Sequence, residues 1–207
     1  MSSSFPIAIS FALTGAMLAG DLVLVKHFFS AEIAGEYSVA SNLGKAAFFI
    51  SGAVSGIVFA VVIRKLNEGV NELPVILLSV FVAAGAGSVI ILLSFLFPVE
   101  IITTLFGERY IASIGLFQIS SISMTIFSMN TVLFNYFLAR KYYGYLYMSI
   151  LSLAVFVSYL FLGNMSLASD LAISVLVLMF SILFWNLVFL FFIVRTKRIG
   201  IRYLAHS

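Results

Sequence analysis

The chain has no cysteine, which excludes disulfide frameworks, thiol nucleophiles and cysteine-ligated metals. Only three prolines occur among 207 residues, so long stretches are free to run as uninterrupted helix. Charge is scarce: 9% of residues are Asp, Glu, Lys or Arg, against about 25% in a soluble domain. The two histidines, His27 and His206, have no second histidine or acid at ligand spacing, so no metal centre is expected. No phosphate-binding loop, nucleotide fingerprint or nucleophile motif is present. Serines are many, but none has a base placed beside it by sequence. Nothing argues for an enzyme, a catalytic residue or a cofactor.

What is present is apolar. Hydrophobic residues make up 63% of the chain, and the mean hydropathy is +1.20. These values mark an integral membrane protein. The formal charge of +3 resides mostly in cationic residues between apolar runs. That placement reports membrane orientation rather than nucleic-acid binding. The opening stretch SFPIAISFALTGAMLAG has no Lys or Arg ahead of its apolar run, and apolar sequence continues past Asp21 to Phe29. A spanning helix is therefore expected there rather than a cleaved signal peptide.

A span needs roughly 20 mostly apolar residues. Six such stretches occur, at about 5–28, 37–63, 73–97, 111–139, 143–163 and 169–194. The expected fold is one all-α domain over 1–207, a bundle of six transmembrane helices. Short connections predict that sequential helices pack as antiparallel neighbours. The segment 98–113, PVEIITTLFGERYIAS, is too short to span and reads as a short interfacial helix or re-entrant piece.

Charges between spans set the orientation. Arg64, Lys65, Arg140, Lys141, Arg195, Lys197, Arg198 and Arg202 follow the second, fourth and sixth spans. The opposite side holds Lys26 and Arg109 beside Glu32, Glu36, Glu100, Glu108 and Asp170. The positive-inside rule then places both termini in the cytoplasm.

Two charges fall inside spans. Asp21 lies late in the first helix and Lys45 in the second, either side of the polar stretch SAEIAGEYS. A turn at 29–37 would put both about seven to eight residues deep, roughly 10–12 Å at 1.5 Å per residue. Charges at such depth usually face a partner or a water-filled cavity. Polar stripes accompany them at helical spacing. Ser10, Thr14 and Asp21 share a face of the first span. Ser38, Ser41, Asn42, Lys45, Phe49, Gly52 and Gly56 share one on the second. Ser113, Ser120, Ser121, Met124, Ser128, Thr131 and Asn135 do so on the fourth, and Asp170, Ser174, Ser181 and Trp185 on the sixth. The stripes have two explanations. Small and hydroxylated residues pack membrane helices together, and Gly52 to Gly56 is a GxxxG signal. The alternative is a polar cavity lined by Lys45, Asn42, Asp21, Ser38, Ser128 and Asn135. Asp21 is either the counter-ion of Lys45 or an ion or proton site. Asn130 and Asn186 lie off the stripes and read as interhelical hydrogen-bonders.

The hairpin DLVLVKHFFSAEIAGEYSVASNLGKAAFFISGAVSGIVFAVV carries a further pattern. An Asp late in one helix is followed by a loop running from Glu32 to Tyr37 and a Ser-x-x-Gly-basic step from Ser41 to Lys45. LFGERYIAS at 105–113 and FNYFLARKYYGYLY at 134–147 follow in order. Together these resemble the C-terminal half of bacterial Wzx-like polysaccharide flippases, in the multidrug/oligosaccharidyl-lipid/polysaccharide exporter superfamily. The resemblance implies half of a MATE-like fold of two six-helix bundles around a central cavity with alternating access. It implies movement of undecaprenyl-pyrophosphate-linked oligosaccharides, such as O-antigen units of lipopolysaccharide, across the bacterial cytoplasmic membrane. It implies a partner as well: an N-terminal six-helix half, or a second copy. The chain would be a fragment, a half-size protein that pairs, or a remnant. Relatives carry a proline near the end of the second helix; Phe59-Ala60-Val61 stands here instead, so that kink is not carried over. The rival expectations are half of a cation-coupled drug exporter and a non-transporting membrane fragment.

Overall fold

The computed structural model describes residues 4–162 and 167–204, with the side chains of 4, 53–54 and 196–204 outside the description. The described chain is all-α. Seven α-helices run α1 Ser4–Phe28, α2 Ala31–Asn67, α3 Leu73–Leu96, α4 Pro98–Phe106, α5 Ile114–Ala139, α6 Gly144–Leu162 and α7 Ala168–Leu204. Six of them are long and apolar enough to cross a membrane; α4 is not. This is a multi-pass transmembrane bundle. Phe11, Phe81 and Leu162, at 70%, 76% and 88% exposure, belong to an outward apolar surface that suits lipid and not water.

The ends of the helices follow local chemistry. Only Phe29 and Ser30 separate α1 from α2, and the Ser30 hydroxyl accepts from the Ile33 amide as N-cap. The polar stretch 31–37 is thus the first two turns of α2 and not a loop. Pro74 stands in the first turn of α3, where its missing N–H costs nothing. Pro98 does the same for α4, which buries Ile102 and turns Glu100 outward. Gly107, at φ +93°, closes α4 in a conformation that side chains rarely adopt, and a 3-10 turn, Glu108–Ser113, leads into α5. The segment 98–113 is therefore a short amphipathic helix followed by a 3-10 turn.

α5 is the axis of the bundle. It packs on α2, α3 and α7, and nearly every residue from Ser120 to Leu138 is buried or half-buried. Its neighbours approach closely because their contact residues are small. A Cβ built on Gly44 would lie 2.7 Å from the Ser120 Cβ, and one on Gly87 2.4 Å from the Thr125 hydroxyl. Ser51 on α2 bridges to the Ala83 carbonyl of α3 at 3.3 Å. The serine stripe of α5 turns inward on its own backbone: Ser121, Thr125, Ser128 and Thr131 donate to carbonyls three or four residues earlier. These hydroxyls serve packing, as small polar residues do between membrane helices.

Sequential neighbours pack together in most cases, with one exception. α6 follows α5 in the chain but lies against α7, which occupies the place beside α5. The asparagines explain why α7 takes that place. Asn130 on α5 donates to the Met179 carbonyl at 3.1 Å, and Asn186 donates to the Asn130 side-chain oxygen at 2.9 Å. Amide pairs of this kind hold helices together where no water competes. Tyr145 of α6 still reaches Phe134 and Phe137 across the junction, and its hydroxyl meets Ser10 of α1 at 2.9 Å.

Candidate functional site

One end of the bundle gathers Arg64, Lys65, Arg140 and Lys141 and is called the basic end; the other is the acidic end. Nearer the acidic end, α1 and α2 enclose the two charges that fall inside apolar sequence. Lys45 Nζ lies 3.4 Å from Asp21 Oδ1, and Ser41 Oγ donates to Asp21 Oδ2 at 2.6 Å. Asp21 and Lys45 are each 5% exposed, and Ser41 is fully buried. Both carboxylate oxygens are thus engaged, one by a hydroxyl and one by an ammonium.

The two charges do not sit at equal depth. Asp21 is seven residues from the end of α1, about 10 Å. Because α2 begins at Ala31, Lys45 is fourteen residues inside it, about 21 Å. The pair still forms because helical side chains lean toward the N-terminus. The long lysine stem therefore reaches back up α2 toward Asp21, and Ser41, one turn earlier, fills the interval.

The other expected cavity residues scatter. Ser38 is half-buried and donates to the Ala34 carbonyl at 2.6 Å. Ser128 is buried and bonded to its own helix. Asn135 donates to Ser55 Oγ at 2.6 Å and joins α5 to α2. Asn42 is exposed, and its side chain makes no hydrogen bond to another described residue. So of the six, only Asp21 and Lys45 meet. They are closed on each other in this conformation, and neither lines the cavity at the basic end or the hollow between α6 and α7. The exposed Asn42 instead shares a face of α2 with Phe49, which is 65% exposed, and with Gly52 and Gly56, which have no neighbour within 4 Å of a built Cβ. α2 therefore has a closed polar face toward α1 and α5, and an open face with no partner among the described residues.

Sequence reasoning missed a second buried ion pair. At the basic end, Arg140 Nη2 binds Glu72 Oε1, and the Tyr136 hydroxyl lies 3.5 Å from the same oxygen. The Glu72 side chain is 3% exposed and that of Arg140 11%. Glu72 is the N-cap residue of α3 and Arg140 the C-cap of α5, so the pair ties two helix ends together. Both charges lie between spans, where charge is ordinary. The available signal was their convergence: two spans that pack side by side bring their basic-end termini together. The pair borders a cavity of about 530 Å³, walled by Leu66, Val70, Leu73, Ile193 and Val194. A second hollow, of about 490 Å³, runs between α6 and α7 past Ser152, Tyr159, Ser181 and Trp185. The side chains of Lys197, Arg198 and Arg202, and all of His206, lie outside the described residues.

No family model, curated protein or solved structure matches the chain.

Proposed function

We propose that the chain is one bundle of a two-bundle flippase that moves lipid-linked oligosaccharides across a bacterial cytoplasmic membrane, with both termini in the cytoplasm. One observation carries the proposal: a lysine held in the apolar interior by a single carboxylate. An ammonium there is costly, and such residues commonly serve a transport path. Released from Asp21, Lys45 offers a charge and three donors to a phosphate or pyrophosphate. Release requires α1 to part from α2, so the closed pair stands for a state with no substrate engaged. Asp21 is the counter-ion that holds the lysine until then.

The open face of α2 supports a two-bundle assembly. An amide exposed about 16 Å along α2, beside an unfilled Gly52/Gly56 surface, is poorly suited to hydrocarbon. A partner bundle, either an N-terminal half or a second copy, would cover it. The cation-coupled exporter has less support: Asp21 has both oxygens occupied, one by a lysine that neutralises it.

Flipping of labelled undecaprenyl-pyrophosphate oligosaccharide in proteoliposomes tests the proposal. Activity should appear when the chain is paired and be absent from the isolated monomer. Ion-driven dye efflux without lipid flipping, or full flipping by a monomer, would refute it. Cysteines at Glu68 and Lys141 should label from the cytoplasm alone, and one at Glu108 from outside alone.

A further inference from the structure

The Glu72–Arg140 pair borders the cavity at the basic end, away from Asp21 and Lys45. Among the described residues, Arg140 Nε is the one buried side-chain nitrogen or oxygen with no hydrogen-bond partner. An unmet buried donor is costly, more so on a charged group. The other buried side-chain nitrogens and oxygens among the described residues have partners, so this one stands apart.

The surroundings define a fitting acceptor. Arg140 uses one nitrogen, Nη2, to bind Glu72. Its planar fork has further donors, and a fork of this shape suits the oxygens of a phosphate. Tyr136 lies beside Glu72 as well. The carboxylate is thus engaged within the protein. The cavity itself is lined by Arg140 and Glu72, and two of the chain segments that form it, 64–73 and 136–141, carry Arg64, Lys65, Arg140 and Lys141 against Glu68 and Glu72, a net excess of two positive charges. The opposite wall is aliphatic: Leu66, Val70, Leu73, Ile193 and Val194. A guanidinium bordering a cavity with an aliphatic wall fits a molecule with both characters. The position agrees, since the cavity lies where α2 ends, α3 begins and α5 ends, at the level where a bilayer presents its headgroups. Basic pockets between transmembrane helices hold anionic lipid headgroups in this way.

We infer that this cavity binds the phosphate of an anionic membrane phospholipid, with Arg140 bridging between Glu72 and the headgroup. The lipid would fill the cavity, take the fork's further donors and brace α3, α5 and α7 at one end.

The test is lipid retention by the purified chain in detergent, read by native mass spectrometry and by thermal midpoint. Phosphatidylglycerol should give a one-to-one adduct and raise the midpoint; phosphatidylcholine should do neither. Arg140→Lys keeps the charge and the pairing with Glu72 but removes Nε, and should weaken the adduct roughly tenfold or more. Lys141→Gln, at an exposed position, should weaken it far less. Glu72→Gln removes the competing carboxylate and should tighten it. Should Arg140→Lys fail to fold, the Glu72→Gln/Arg140→Gln double variant strands no charge and should lose the adduct. Equal retention of the two lipids, or an adduct unchanged in Arg140→Lys or in the double variant, would overturn the inference and leave a water-filled cavity. The same stabilisation by inorganic phosphate alone would overturn it in favour of a free anion site.

Discussion

The two buried ion pairs are built alike and placed differently. Asp21–Lys45 joins two helices inside their apolar runs, with α1 otherwise among the more lightly packed elements. Glu72–Arg140 joins two helix ends at the margin of the bundle. A charge at the margin can turn toward water or headgroups when it loses its partner. A charge in the interior has no such exit. Position therefore decides cost and role: the interior pair is a candidate for function because nothing structural makes a lysine necessary there, while the marginal pair is a clasp.

The largest effect should come from breaking the interior pair one residue at a time. Lys45→Ala leaves Asp21 buried and unpaired, with a loss of about 3–5 kcal/mol. Asp21→Asn should strand Lys45 to a similar degree. Denaturant-induced unfolding in mixed micelles measures both. Joining the changes as Asp21→Asn/Lys45→Met should recover most of the loss, since no charge is then stranded. If either single change costs as little as the double, the pair is not the closed unit described.

Glu72→Gln should cost less, about 1–3 kcal/mol, because Arg140 is near the surface and finds other acceptors. A loss as large as that of Lys45→Ala would remove the contrast between interior and margin.

Packing supplies a third contrast, between the two faces of α2. Gly44→Ala forces a Cβ to 2.8 Å from the Ser120 backbone carbon, where a rotamer change gives no relief. It should cost about 1–3 kcal/mol by overpacking. Gly52→Ala and Gly56→Ala meet nothing within 4 Å and should leave the isolated bundle unchanged. In native membranes the same two changes should reduce crosslinking from a cysteine at Asn42 to a partner chain. Equal crosslinking would mean that this face is not an interface.

The smallest measurable loss of stability is expected at the α5–α7 amides. Asn186→Leu should cost about 0.6–1.7 kcal/mol, the range for hydrogen bonds between membrane helices.

Which of these features were legible in the sequence follows from how each announces itself. Six spans are plain in apolar run length, but α2 begins six residues before the expected 37–63 and α7 runs ten residues past the expected 169–194. Asp21 and Lys45 stand out because charge is rare inside such runs. Their depth was misread because Glu32 and Glu36 look like a loop, whereas Ser30 caps a helix that starts at Ala31. The stripe on α5 was visible, but periodicity reports that residues share a face without saying what the face meets; here it meets Gly44 and Gly87. Asn42 and Lys45 are three residues apart, and the packing of α1 and α5 on one side of α2 decides that Lys45 is buried and Asn42 is not. Glu72 and Arg140 escaped notice because charges between spans carry no sign of burial.

The most direct measurement is flipping by the paired protein carrying Asp21→Asn/Lys45→Met, once its stability has been shown to match the wild type. A lysine required by the substrate predicts a folded protein that does not flip lipid-linked oligosaccharide, with Lys45→Arg retaining part of the activity. Wild-type flipping by the double variant would show that the pair only holds α1 to α2 and would contradict the proposed role of Lys45.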